Sequence, residues 1–455
     1  RPVQLTINHP NGMKSFSALP VLFEIDQSVT YEARNYHHLI DCPIMISRPD
    51  TSTFTVNNSK VIIEAYHANG NTGYAKVIKD DIKPTMKAVA NFTDILPVDE
   101  YHFILYIRDG KEFMETMRSN DIGIGTKINT FWWNKSLLRG GALEHGNSSF
   151  YVLPDFGDTT FTSNIKRIAI HEFMHIFTPL NLHSEHIGNF NYIQPKMSKH
   201  LWLYEGVTEY FANLILLQSG LISKREFFRE RMRNKIVAAK RYPERKIPFT
   251  EMSRNVFQKK YGKYYSQVYQ RGAIMGLLLD IEIIRLTNGQ KTLKDVILEL
   301  SSEYGATRSF NEQNFFDEFT ALVHPDLRNW FADYVEGTVP LNLKEGLEPI
   351  GVLYSKKGSH EVPKRILKDY GTKTHLIPAG KYRKIKKVGS EDPIGLEIGD
   401  NINTEILDSL LYDNYGYPHE EGRKVEIRLK RNGITLSLPY NIEYKKRQYR
   451  HRLLI

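Results

Sequence analysis

Residues 168–177 read IAIHEFMHIF and set His171, Glu172 and His175 in an H-E-x-x-H arrangement. On a helix, residues four apart share a face, so the two histidines can offer imidazole nitrogens to one ion. Glu172 follows the first of them directly, where its carboxylate can reach a water held by that ion without itself binding. Zinc lowers the pKa of such a water toward neutrality, and a carboxylate base completes its activation. Ser163 is placed to cap this helix and Pro179 to end it. A chance H-E-x-x-H in a chain of this composition has odds of roughly a few per cent. The competing reading is two core histidines on a helix packed through Ile168, Phe173 and Ile176. A third ligand is needed to decide.

Residues 200–220, HLWLYEGVTEYFANLILLQSG, supply a candidate. The stretch is strongly apolar at helical spacing and stops at Gly220. Glu205 lies inside it, and a buried carboxylate there needs a partner such as a cation. Glu209, four residues on, occupies the same face and can take the free N–H of a ligand histidine, fixing its tautomer. Glu205 is assigned to the metal and Glu209 to that supporting role, with the reverse assignment open. The plain alternative for Glu209 is a solvated helix residue.

Composition sets the frame. At 455 residues, 41% hydrophobic and 12% aromatic, the chain can fill two or three domain cores and is neither disordered nor collagen-like. Its apolar runs fall far short of a membrane span. The single cysteine, Cys42, excludes an intrachain disulfide or a cysteine-rich zinc site and reads as a small buried hydrophobe. The formal net charge is +9, but the basic residues are scattered apart from the tail EYKKRQYRHRLLI. No finger or basic-helix motif accompanies them, so no nucleic-acid partner is expected. The start at Arg1 rather than Met suggests a processed or trimmed chain with part of its first domain missing.

The texture changes twice along the chain. Residues 1–68 read as short strands of an antiparallel β-domain: VQLTINHP, VLFEID, PIMIS and KVIIEAYH are broken by Asn, Gly, Pro and Ser. Residues 69–340 mix strands with helices, opening with the helical spacing of AKVIKDDIKPTMKAVANFTDI and the strand EYHFILYI. From residue 341 to 455 strands return, including a clear hairpin at KVEIRLKRNGITLSLPYNI with Asn432-Gly433 at its turn. The expected class is α+β, in three domains.

The pair HEFMH and WLYEGVTEYFA resembles the glycyl aminopeptidase family, PDZ-containing gluzincin metallopeptidases related to thermolysin. LIDCPIMI, GGALEHGNSS, VYQRGAIMGLLLDIEIIRLTNGQKTLKDV and YVEGTVPL resemble further segments of that family in the same order. The resemblance implies a thermolysin-like catalytic domain with a mixed sheet, and one Zn2+ per chain. Its ligands would be His171, His175 and Glu205, with Glu172 as general base. Tyr269 of VYQRG falls where relatives place a hydroxyl on the developing oxyanion; composition alone would make it one packing aromatic among 26 tyrosines. Gly140, Gly141, Glu144 and His145 fall on the substrate strand. The glycines would admit a substrate backbone, and Glu144 would hold its free α-amino group. DPIGLEIGDNINTEI and the hairpin after it resemble a PDZ domain.

The chain also departs from the family. Where relatives carry a basic stretch after the zinc helix, it has FTPLNLHSEHIGNF, so a preference for N-terminal glycine does not transfer. His183, Glu185 and His186 in that loop offer a second metal constellation or simply a polar surface. Arg271 stands for the family's lysine and keeps the charge. The expectation is a zinc-dependent aminopeptidase acting on peptides with a free N-terminus, in a periplasmic, secreted or cell-surface setting. The rivals are an endopeptidase of the same architecture and a non-catalytic peptide- or partner-binding protein using the PDZ-like domain.

Overall fold

The computed structural model describes residues 1–112, 141–156, 159–376, 382–404, 406–407, 409–411 and 419–454. They form two compact units, residues 1–354 with 453–455, and residues 355–452. The class is α+β, β-rich at the start and helical through the middle.

The first unit opens with a small antiparallel sheet in which β4 (Ser28–Ala33) lies between β1 (Val3–Asn8) and β3 (Val21–Ile25), beside a pair formed by β2 (Lys14–Phe16) and β5 (Met45–Ser47). Leu19, Val29, Tyr31, Ala33 and Cys42 make its own apolar cluster. Burial pushes the Cys42 thiol up to about 12, as befits an inert core residue. The sheet stops there. β6 (Thr51–Val56) and β7 (Ser59–His67) instead join β8 (Glu100–Asp109), β10 (Ser148–Asp155) and β9 (Gly141–His145) in a five-stranded mixed sheet, ordered β6-β7-β8-β10-β9. The change of texture near residue 68 therefore marks the step from strand to helix within one layer, not the edge of the β-domain. β7 pairs parallel to β8, and β8 parallel to β10. β9 returns antiparallel to β10, and among the described residues no strand pairs with its other edge.

Helix α1 (Tyr74–Thr93) buries Ala75, Ile78, Ile82, Met86 and Val89, the three-and-four spacing of an amphipathic helix. Helix α2 (Thr159–Met174) carries the opening motif and begins four residues before Ser163. Its Phe173 packs edge-on to Tyr101 and parallel to Phe103 of β8, and Tyr101 donates its hydroxyl to the Glu172 carbonyl at 3.2 Å. A π-helical segment, Trp202–Val207, runs into α3 (Thr208–Gln218); α4 (Arg233–Ala239) and α5 (Gln267–Leu286) follow. α5 crosses this pair at glycines: a Cβ on Gly206 would stand 2.8 Å from the Gly272 Cα, and one on Gly276 would stand 2.9 Å from the Tyr210 Cβ. Among the described residues, no helix is long and apolar enough to cross a membrane.

The second unit has a five-stranded antiparallel sheet, β12 (Lys373–Leu376), β13 (Tyr382–Lys387), β14 (Asn401–Asn403), β15 (Lys424–Arg431) and β16 (Ile434–Asn441), in that order. Alternation puts Ile385, Ile402, Ile427, Leu429 and Tyr440 into its core. At the β15–β16 turn Asn432 and Gly433 both take positive φ, as a two-residue hairpin requires.

Two consequences can be measured. A methyl on Gly272 would lie 2.7 Å from the Gly206 Cα, and backbone cannot swing aside. Gly272→Ala should destabilise the chain by about 1–3 kcal/mol, read as a lowered melting temperature; an unchanged one would show that the crossing has room. His102 of β8 lies 3.1 Å from Glu64 and 2.9 Å from Glu100. Burial opposes its charge, yet Glu100 and Glu64 outweigh burial and hold it at about 9 against an ordinary 6.5. A raised folded-state pKa gives stability that is complete below 6.5 and lost as pH rises through about 9. Urea unfolding at stepped pH should show that decline, and His102→Gln should flatten it.

Candidate metal and catalytic site

Helix α2 turns its apolar face, with Ile165, Ala169, Ile170 and Phe173, into the core. His171, Glu172 and His175 are also buried, and their polar ends meet one another. The regular helix ends at Met174, before His175 rather than at Pro179. Tight turns continue the chain, with the Leu180 N–H donating to the His175 carbonyl and the Asn181 amide to Ile176. The rings of His171 and His175 still stand 4.9 Å apart, almost perpendicular. His175 gives its Nδ1–H to the Thr178 carbonyl at 2.9 Å. A carbonyl only accepts, so the His175 lone pair lies on Nε2.

Glu205 comes from the π-helical segment and points at both rings. Its Oε2 is 3.2 Å from His171 Nε2 and 3.9 Å from His175 Nε2. Two ligands about 2.1 Å from a tetrahedral zinc ion stand about 3.4 Å apart. Together the three residues offer ligand atoms all within 4.8 Å of one another. Two imidazoles with Nδ1 engaged elsewhere and one buried carboxylate are a donor set that fits zinc. Burial opposes the His171 charge, but Glu205 and Glu209 outweigh it and raise His171 to about 10. The field at Nε2 favours a positive charge, whether proton or metal ion.

Glu209 is no solvated residue. It is 4% exposed, with Oε2 3.0 Å from His171 Nδ1 and Oε1 2.6 Å from Lys235 Nζ and 3.7 Å from Arg167. Burial opposes its ionisation, but Lys235 and His171 overcome this and hold its pKa well below the usual carboxylate range. Burial likewise works against Glu205, and the two histidines bring it below its ordinary value. Glu172 accepts no hydrogen bond on its carboxylate from the described residues. Burial pushes it up to about 8 despite the pull of His171.

Glu144 and His145 part company. Neighbours on a strand face opposite ways: Glu144 Oε2 reaches to 4.0 Å from His175 Nε2, whereas His145 turns to Asp41 at 3.4 Å. Glu144, Glu172 and His175 form a second close group of potential ligand atoms, and burial raises Glu144 above the usual range. His145 is thus not brought to the cluster. Gly141 lies on β9, where a Cβ would meet nothing among the described residues, and Gly140 lies outside the described residues. Tyr269, on the first turn of α5, stands with its ring 5.6 Å from that of His171 and its hydroxyl 3.4 Å from that of Tyr265. Burial, then the Glu205 charge, keeps it firmly protonated. Sequence reasoning missed Tyr265, Lys235 and Arg167; Arg167 stands one helical turn before His171 and so carried a spacing signal, whereas Lys235 carries none.

Among the described residues, the loop histidines do not assemble a second centre. His183 Nδ1 is 2.8 Å from the Pro179 carbonyl, Glu185 accepts the Glu312 N–H, and His186 lies 3.8 Å from Glu312. Arg271 pairs with Glu244.

A buried set of this kind, on a mixed sheet followed by helices, defines a candidate metallopeptidase centre. Comparison with known proteins agrees in two stretches. The profile of the M61 glycyl aminopeptidase matches residues 164–275, and that of the M61 N-terminal domain matches residues 1–48. The resemblance to the glycyl aminopeptidase family is shown by these two matches. The longer one contains His171, Glu172, His175, Glu205, Glu209 and Tyr269; Gly140, Gly141, Glu144 and His145 lie before it. No curated protein matches the sequence. Among solved structures, an aminopeptidase N family protein from Idiomarina loihiensis aligns over 98% of this chain and 77% of its own, with a TM-score of 0.64 and 18% identity. The two share a fold. An M1 zinc metallopeptidase from Deinococcus radiodurans aligns with a TM-score of 0.48 and 12% identity, over 75% of this chain and 65% of its own.

The donor set makes a direct prediction. Chelation should lower the melting temperature and added zinc should restore it, by about 2.7 kcal/mol of stability at zinc 100-fold over its dissociation constant. His175→Gln should abolish that response; a wild-type chain indifferent to chelator and zinc would sink the assignment.

Proposed function

We propose that the chain is a zinc-dependent aminopeptidase of thermolysin-like, gluzincin architecture, with His171, His175 and Glu205 holding one zinc ion. The observation that carries this reading is the convergence of their ligand atoms beside Glu172, a buried carboxylate without a hydrogen-bond partner among the described residues. When bound, zinc would acidify a water and polarise the carbonyl to be cleaved. Glu172 takes the proton of the attacking water and passes it to the leaving amine. The Tyr269 hydroxyl donates to the oxyanion as charge develops there.

Glu144 favours an aminopeptidase over an endopeptidase. A carboxylate 4.0 Å from His175 Nε2 puts a negative charge beside the reaction centre, where it can hold a substrate α-ammonium. That sets the scissile bond one residue from the N-terminus. Among the described residues no strand pairs with the outer edge of β9 at Gly141, and a substrate backbone would pair there. The PDZ-like reading of the second unit rests on its glycine loop: Asp392 accepts the Leu396 N–H, and Gly395 and Gly399 take positive φ. Its described residues contain strands and short 3₁₀ turns but no α-helix.

Glu172→Gln should keep one zinc per chain and lose about 10²–10⁴-fold in kcat; near-normal turnover would refute the mechanism. Glu144→Gln should lower kcat/KM on free-amine aminoacyl substrates, while N-acetylated ones stay uncleaved by either protein. Cleavage of blocked peptides by the wild type would establish the endopeptidase instead, and a metal-bound chain inert on both would favour a binding role.

A further inference from the structure

We infer that Lys235 is a positioning residue: it holds the Glu209 carboxylate on the Nδ1 side of His171 and ties it to the backbone of Tyr269. The inference rests on the zinc reading above and adds to it the group that separates a supporting carboxylate from a ligating one. Glu205 and Glu209 both touch His171, the first at Nε2 and the second at Nδ1. They are four residues apart on consecutive turns, so sequence leaves open which of them ligates.

The structure breaks that symmetry with cations. Lys235, 8% exposed, reaches from α4 to put Nζ 2.6 Å from Glu209 Oε1 and 3.4 Å from the Tyr269 carbonyl. Asn213 adds a 3.4 Å contact to the same Oε1, and its amide also bonds the Glu209 carbonyl. Arg167 lies farther off, at 3.7 Å, and is partly exposed, so solvent screens it. A buried carboxylate stripped of its counter-ion turns to the nearest positive charge. Beyond the solvent-screened Arg167, that charge would be the metal ion bound by Glu205. With Lys235 in place, Glu209 has one oxygen on the ammonium and one on His171, and none left over for the ion. The same ammonium reaches the turn of α5 that aims the Tyr269 hydroxyl, so one side chain sets both the ligand ring and the proposed oxyanion donor.

The test uses the full chain loaded with zinc or cobalt(II). Lys235→Met should weaken zinc binding about 10–100-fold by competition with a chromophoric chelator. It should also shift the visible absorption of the cobalt form, because ligand number or geometry changes, and lower kcat more than it raises KM. Lys235→Arg should recover most of each loss. The Glu209→Gln/Lys235→Met double variant carries no orphaned charge; it should fold even where the single does not, and bind zinc no worse than Glu209→Gln alone. A Lys235→Met chain with wild-type zinc affinity and cobalt spectrum would overturn the inference, and so would fully additive losses in the double variant. A wild-type chain that takes up no metal would overturn the zinc reading itself, a result separable from either.

Discussion

Gly206 and Gly272 touch backbone to backbone, and the site exists because they do. Gly206 follows Glu205 directly, and Gly272 lies three residues beyond Tyr269. A methyl at Gly272 would stand 2.7 Å from the Gly206 Cα, so the two helices could not keep their present spacing around it. Glycine inside a helix costs about 0.5–1 kcal/mol relative to alanine. Contacts along the same line offset it: Gly276 admits Tyr210, whose hydroxyl donates to Asp280 at 2.7 Å, and Asp280 in turn accepts the Leu293 N–H that begins the next helix. The π-helical segment belongs to the same arrangement. Widening one turn re-aims Glu205 toward the α2 histidines while α3 continues regularly beyond it.

Within that frame, four glutamates in one dry volume behave as four different groups. Glu209 is charged against a lysine, and Glu205 against two imidazoles. Glu172 accepts no hydrogen bond from the described residues and Glu144 meets only the His175 ring, 4.0 Å away, so burial drives both upward. The difference comes from which neighbours each oxygen reaches, since the residue type is the same throughout. The two stabilised carboxylates hold geometry. The two destabilised ones take up a proton more readily than a free glutamate does.

Much of this was legible from local pattern. The H-E-x-x-H spacing, the apolar stretch around Glu205 and the Asn432-Gly433 turn each depend on residues within a few positions of one another, where periodicity and turn chemistry speak directly. Pairing over long range was not legible. β6 and β7 look like more of the N-terminal sheet because a strand's composition does not name its neighbour, and only the register with β8 moves them. The family resemblance puts His145 beside Glu144 on the substrate strand, but strand alternation sends it to Asp41. Lys235 sits among arginines and lysines in RMRNKIVAAK, where nothing distinguishes the one ammonium that is buried.

By itself, then, the sequence determined the chemistry on offer: two imidazoles four apart, a base between them, a carboxylate on an apolar helix, and the class of fold that alternating strands and amphipathic helices build. Such features are local, and short-range sterics and burial preference settle them. The tertiary structure decided which carboxylate faces which nitrogen, which strands share a sheet, and which lysine is drawn inside. Those outcomes depend on contacts across tens to hundreds of residues, where close packing and the cost of an unpaired buried charge select one arrangement from many that local pattern allows.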